Sequence, residues 1–332
     1  MGAMRVLLVP TLGPLHLLHP RYNAMTLLEL TRAFAPDRVL LASYSPEGLA
    51  EGLWRAKDEL GLFHLLPWAE ANGIPVEALG QDAEALQGEA ERFREYLGSL
   101  EKGKAYLEEA ARLDEMLQAL LTRPLTPEAL GSEPVLLKLR AYTEAVARLF
   151  GEGPATGFRE ARMRGVAKAL RALPEGRYVV WVDVLDYPVL AGLLPEAERP
   201  RRHEPTEAER HRAVLDRAWR LEEGDDWGGL VAQLQEVGNA EAQYLAAQIY
   251  LAAGRVEAAQ AILEDLIHKE FQHPAYLPGY VLARLGQVQD LLGDRQAALR
   301  AYRTVLALSW APEAAREIAL AGVRTPFRVE RG

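Results

Sequence analysis

Two glycines 39 residues apart, Gly254 and Gly293, sit at matching places in an otherwise helix-forming C-terminal third. Each has a small residue seven positions earlier (Ala247, Gly286) and another five positions later (Ala259, Ala298). Small residues at that spacing let two helices of a hairpin approach closely, and the glycine between them turns the chain. An earlier, less regular hairpin is predicted from Arg212 to Val237 through Gly224-Asp225-Asp226. No strand pattern is visible from Glu207 onward, so three hairpins stack, near the minimum of roughly 3 repeats for an autonomous array.

Leu285-Gly286, Gly293, Ala298, Tyr302 and Pro312 resemble the tetratricopeptide repeat. That resemblance implies a helical array that binds a protein or peptide. The standard period is about 34 residues, so the excess is placed in the loop Phe271 to Gly279. Tyr250 and Tyr302 are expected in the core, while Tyr276 and Tyr280, in or beside the long loop, are expected to contact a partner. Trp227, Tyr244, His268, His273 and Trp310 are further aromatic and imidazole groups to place.

The N-terminal two-thirds alternates strand and helix patterns. Met4 to Val9 is an apolar run too short for a helix and ends at Pro10. A helix over Asn23 to Phe34 and a strand at Val39-Leu40-Leu41 follow, the connection that normally joins parallel strands. Ser45-Pro46 starts another helix, and Ile74 to Leu79 forms a third short strand. Gln81 to Leu121 is almost uninterrupted helix former, but the stripe loses phase between Leu100 and Tyr106, predicting a kink or two packed helices. Helices over Val135 to Phe150 and Phe158 to Leu173 lead into Tyr178 to Val184, the most apolar strand. The expected fold is α/β, a small mostly parallel sheet with a helical insertion at about 81–150, over residues 1–200, then an all-α array over 201–332.

The absence of cysteine excludes disulfides, thiolate nucleophiles and sulfur-ligated metal. A net charge of −9 removes the general electrostatic drive toward nucleic acid, and none is expected as a partner. The basic cluster Arg199, Arg201, Arg202, His203 is interleaved with Glu196, Glu198 and Glu204 and punctuated by prolines, as in a solvated linker. Apolar runs fall far short of the ~20 residues of a membrane helix, and no signal-peptide pattern stands at the start, so a cytoplasmic protein without a membrane partner is expected, with an oligomer open. Six lysines, 32 arginines and three asparagines follow one thermophile trend, although GC-rich codons produce the same arginine excess.

The Gly13-x-x-His16 turn after the first strand, the second strand Pro36-Asp37 to Leu41, and the Arg159-x-x-Arg162-Met163 helix together resemble the TraB/Tiki family over roughly residues 4 to 194. That superfamily extends to ChaN-like haem-binding proteins and erythromycin esterases. The resemblance makes His16 the position of a catalytic or metal-binding residue. It also exposes departures: Ala42 stands where a glutamate normally ends the second strand, and Asp183 and Asp186 stand at the glycine and second histidine after the last strand. The implied site is therefore degenerate. His16 and Asp186 are the catalytic candidates, with Gly13, His19, Ser43, Tyr44, Arg159, Arg162 and Asp183 lining a ligand crevice. His16, Asp183 and Asp186 could hold a divalent metal, since carboxylates suit hard cations. The plain alternatives are a turn histidine bonded to backbone and surface pairing of Arg159, Arg162 and Arg164 with Glu160 and other acids. Three functions follow: a protein-binding or assembly protein, a metal-dependent hydrolase, or a small-ligand sensor.

Overall fold

The computed structural model describes residues 4–57, 59–81, 83–269 and 274–329. Its chain divides into two compact units, Met1–Glu209 and Arg210–Gly332. The first is a four-stranded parallel sheet of order β1-β4-β2-β3, formed by β1 (Arg5–Thr11), β2 (Arg38–Leu41), β3 (Val76–Ala78) and β4 (Arg177–Asp183). The last strand in sequence thus lies between the first two. Its YVVWV core is buried on both faces, which is why it reads as a continuous apolar run rather than an alternation.

Helix α1 (Ala24–Phe34) crosses from β1 to β2, and Asn23 begins it by accepting the N–H groups of Met25 and Thr26. Helix α2 (Pro46–Glu51) starts at Ser45, which accepts from Gly48. Helix α3 (Leu62–Ala71) precedes β3. The expected helical insertion is resolved into two packed helices, α4 (Ala83–Ser99) and α5 (Glu101–Leu121), because Leu100 adopts extended backbone between them. Helices α6 (Pro127–Gly131), α7 (Glu133–Phe150) and α8 (Arg159–Arg171) follow, and α9 (Tyr187–Leu193) comes after β4.

The second unit is helical throughout among the described residues. It contains most of α10 (Glu207–Trp219), then α11 (Trp227–Val237), α12 (Ala240–Ala252), α13 (Val256–Ile267), α14 (Leu277–Leu291), α15 (Arg295–Ala307) and α16 (Glu313–Arg324). Adjacent helices from α11 onward pack in sequence order. Gly254 and Gly293 turn the α12–α13 and α14–α15 hairpins at φ of 74° and 84°, a region that side chains with a Cβ rarely adopt. Asp226, Asn239 and Asp294 cap α11, α12 and α15 through their side chains. The long connection runs between Ile267 and Leu277, but Phe271 and His273 lie outside the described residues.

Tyr302 is fully buried, as its repeat position requires, in a slot made by two glycines. A methyl group on Gly286 would fall 2.4 Å from its ring, and one on Gly322 2.3 Å away. Its hydroxyl donates to Asp290 at 2.9 Å. Tyr250 differs from expectation. It is half-buried on α12 and walls an open groove of about 430 Å³ between α11, α12 and α13, with the Arg255 guanidinium over its ring. Gly286→Ala should therefore destabilise the array by about 1–3 kcal/mol through overpacking against Tyr302. Chemical denaturation of the full chain checks this, and an unchanged midpoint would contradict the slot.

Candidate functional site

The polar residues singled out in the sequence lie at or after the carboxyl ends of β1, β2 and β4, where parallel sheets present their loops. Thr11 and Asp183 pair in register at the ends of β1 and β4. Gly13, at φ of 57°, opens a 3₁₀ turn over Gly13–Leu18 that carries His16, with His19 as its C-cap.

Both histidines are 1% exposed, and all four ring nitrogens are engaged by backbone. His16 Nε2 accepts the Leu12 N–H at 2.9 Å, which leaves Nδ1 to donate to the Tyr22 carbonyl at 2.8 Å. His19 has the opposite tautomer: Nδ1 accepts the Leu125 N–H at 3.2 Å and Nε2 donates to the Leu121 carbonyl at 2.7 Å. His16 therefore closes its own turn, while His19 ties that turn to the end of α5, more than 100 residues away. In this arrangement neither imidazole has a lone pair left for a metal or a proton from substrate. Burial pushes the His16 pKa down to about 4, with the neighbouring His19 adding to the shift.

Asp186 is 3% exposed and holds two arginines. Arg162 grips both carboxylate oxygens at 3.0 Å, and Arg159 Nε donates to one of them at 3.1 Å. The sequence offers these arginines to a ligand crevice or, alternatively, to surface pairs; they instead fix α8 to the β4–α9 turn, because a buried carboxylate requires cationic partners. Arg164 alone takes the surface role, pairing with Glu160. Ser43, at the end of β2, donates to Asp186 at 3.4 Å and accepts the Asp183 N–H at 3.1 Å. Tyr44 is buried, and its carbonyl accepts the Gly80 N–H.

Asp183 is the half-buried member of the cluster. One oxygen accepts the Leu185 N–H at 2.9 Å. Burial first, and the charge of Asp186 second, raise its carboxyl pKa to about 6. Among the described residues no three His, Asp or Glu side chains are grouped to hold a metal. The structure thus brings together Ser43, Arg159, Arg162, Asp183 and Asp186, and places His16 and His19 in separate backbone contacts. The basic linker is paired residue by residue: Arg199 with Glu133, Arg201 with Glu198 and Arg202 with Glu204 as ion pairs, and His203 hydrogen-bonded to Glu209.

The array holds a second polar cluster that the sequence reading missed. Arg212 on α10 donates to both oxygens of Glu241 on α12, at 2.8 and 3.0 Å, and to Asp216 at 2.7 Å. Glu241 also accepts Trp219 Nε1 at 2.7 Å and the Tyr276 hydroxyl at 2.9 Å. Tyr276, expected at an exposed partner surface, is consequently 9% exposed and bonded inward. Tyr280 remains half-buried, its ring 5.3 Å from Trp219 and 6.2 Å from Tyr244. The one local signal is the i, i+4 spacing of Arg212 and Asp216 on α10, with Arg220 in the turn just after it, which by itself reads as a solvated helix face. His268 is exposed, and Trp227 bonds the Glu222 carbonyl within its own turn.

A family model for the tetratricopeptide repeat matches residues 213–285, from within α10 to within α14. No curated protein and no solved structure matches the chain. Fold and match together define a mixed α/β protein with a tetratricopeptide-like helical array. Repeats of this kind generally mediate protein–protein contacts. No helix among the described residues is long and apolar enough to cross a membrane.

The two shifted groups act on stability with opposite signs. The folded pKa of His16 lies below its ordinary 6.5, so its contribution is complete above that pH and is lost as pH falls toward 4, by about 3 kcal/mol. The folded pKa of Asp183 lies above its ordinary 3.8, so its contribution is present below that pH and is lost as pH rises through about 6. Asp183→Asn removes the opposing group. Its urea-unfolding free energy should fall more steeply than the parent's between pH 6.5 and 4, and equal slopes would refute these assignments.

A separate expectation concerns the ion pair. Asp186→Ala leaves two buried guanidinium groups without their carboxylate and should cost roughly 3–5 kcal/mol. A loss below about 1 kcal/mol, of the size found for exposed pairs, would show that the cluster is solvated.

Proposed function

We propose that the chain is a protein-interaction or assembly protein in which the helical array binds a protein or peptide. In this reading the units correspond to an α/β domain over about 1–200 and a repeat domain over 201–332. The α/β domain is a TraB/Tiki-like scaffold whose site has degenerated into structure. The tetratricopeptide match over 213–285 carries the proposal. It is supported by the engaged ring nitrogens of His16 and His19 and by the two arginines that neutralise Asp186.

A second reading, small-ligand or metal-assisted chemistry at the sheet edge, rests on Asp183. Its half-buried carboxyl and raised pKa are the properties of a group poised to exchange a proton. The two readings separate in one comparison of the full chain with Asp183→Ala and Tyr280→Ala. The interaction reading expects one protein to be captured equally by the parent and Asp183→Ala, and lost with Tyr280→Ala at unchanged far-ultraviolet circular dichroism. Ester or peptide hydrolysis by the parent, with or without added manganese or magnesium, that Asp183→Ala abolishes would overturn it.

A further inference from the structure

Helix α5 carries an apolar stripe that its packing on α7 leaves open. Leu113, Met116 and Leu120 follow one another at steps of three and four residues, which keeps them on one helix face. With Ala141, Tyr142 and Ala145 of α7 they line an open groove of about 440 Å³. Tyr142 donates to Asp114 at 2.7 Å and so fixes the two helices that wall it. Met116, in the middle of the stripe, is 70% exposed. Burial of the insertion against its own unit therefore leaves this face of α5 unsatisfied.

Charge along the stripe is polarised. Glu109 continues it one step toward the helix start and Arg123 one step past the helix end, each seven residues from Met116. Arg123 and Lys138, both exposed, also line the groove and form no ion pair with a described residue. Glu109 bonds Arg112 in an exposed pair, of the weak kind that exchanges readily. A parallel, in-register copy of α5 would set acid against acid and base against base. An antiparallel copy, turned about a two-fold axis through Met116, sets Glu109 of each chain opposite Arg123 of the other, because the two positions are equidistant from the axis. The face is thus complementary to itself, whereas an anionic or cationic peptide would match one end only.

We propose that this face of the α/β unit is a self-association surface, where two copies of the chain pair antiparallel through Leu113, Met116 and Leu120. Glu109 and Arg123 exchange across the two-fold axis and fix the register. Three apolar side chains on one helix are a small contact beside the ~1,600 Å² of a standard interface, so the dimer dissociates on dilution. The surface goes beyond the partner-binding role of the array and does not depend on it.

The chain contains no cysteine, so single introduced cysteines report the geometry directly. Mild oxidation of the full-length Met116→Cys chain should give a covalent dimer in high yield, and Gln118→Cys, on the opposite side of α5, very little. Sedimentation velocity of the parent should show a mass that rises with concentration from one chain toward two. Met116→Lys should weaken association about tenfold or more at unchanged circular dichroism. Arg123→Glu should also weaken it, and Glu109→Arg combined with Arg123→Glu should restore it, a rescue specific to the antiparallel register. A parent that stays monomeric, association indifferent to Met116→Lys, equal cross-linking of the two cysteines, or charge reversal without rescue would overturn this inference and leave the array's protein-binding reading standing.

Discussion

The Asp186 carboxylate, buried at the end of β4 and held by Arg162 and Arg159, is the contact on which the α/β unit depends. It couples the helix entering β4 to the turn leaving it, so the central strand is pinned at the edge where ligands usually bind. A charge at 3% exposure is tolerable only with such partners. The same requirement explains His16 and His19: burial demands a donor or acceptor for each ring nitrogen, and nearby backbone supplies them. Polar residue types associated with chemistry are thereby turned into fasteners. His19 illustrates the consequence, since its ring joins the turn after β1 to the end of α5 and so anchors the helical insertion.

The array solves the problem differently. Its hairpins close on small residues and the Tyr302 slot, while α10 is bonded to α12 and to the start of α14 through Arg212, Glu241 and Tyr276. Burial works against the Arg212 charge, yet Glu241 and Asp216 outweigh it and raise its pKa well above the ordinary value. Tyr276 is likewise held neutral, first by burial and then by Glu241. This network leaves Arg220 and Arg284 incompletely partnered at its margin.

Local features of this organisation were legible in the chain. Apolar runs located the strands, the Leu100 phase break located the α4–α5 division, and Gly254 and Gly293 located the hairpin turns. Long-range pairing was not. The position of β4 between β1 and β2 follows from packing that no local pattern encodes. Arg159 and Arg162 had a nearby acid in Glu160, but their partner Asp186 lies 27 and 24 residues on, across β4. Tyr276 looked like a loop residue because its acceptor, Glu241, is 35 residues earlier. Tyr250 failed for a related reason: repeat spacing gives the side facing the neighbouring helix, not whether another helix covers it.

The central claim is that binding belongs to the array and that the polar sheet edge is structural. Hydrogen–deuterium exchange of the full chain, with and without a captured partner, tests it most directly. The account expects new protection in α10, α12 and α14 and unchanged exchange over residues 11–19, 43–45 and 183–187. Protection concentrated in those three sheet-edge segments, with the array unaffected, would contradict it.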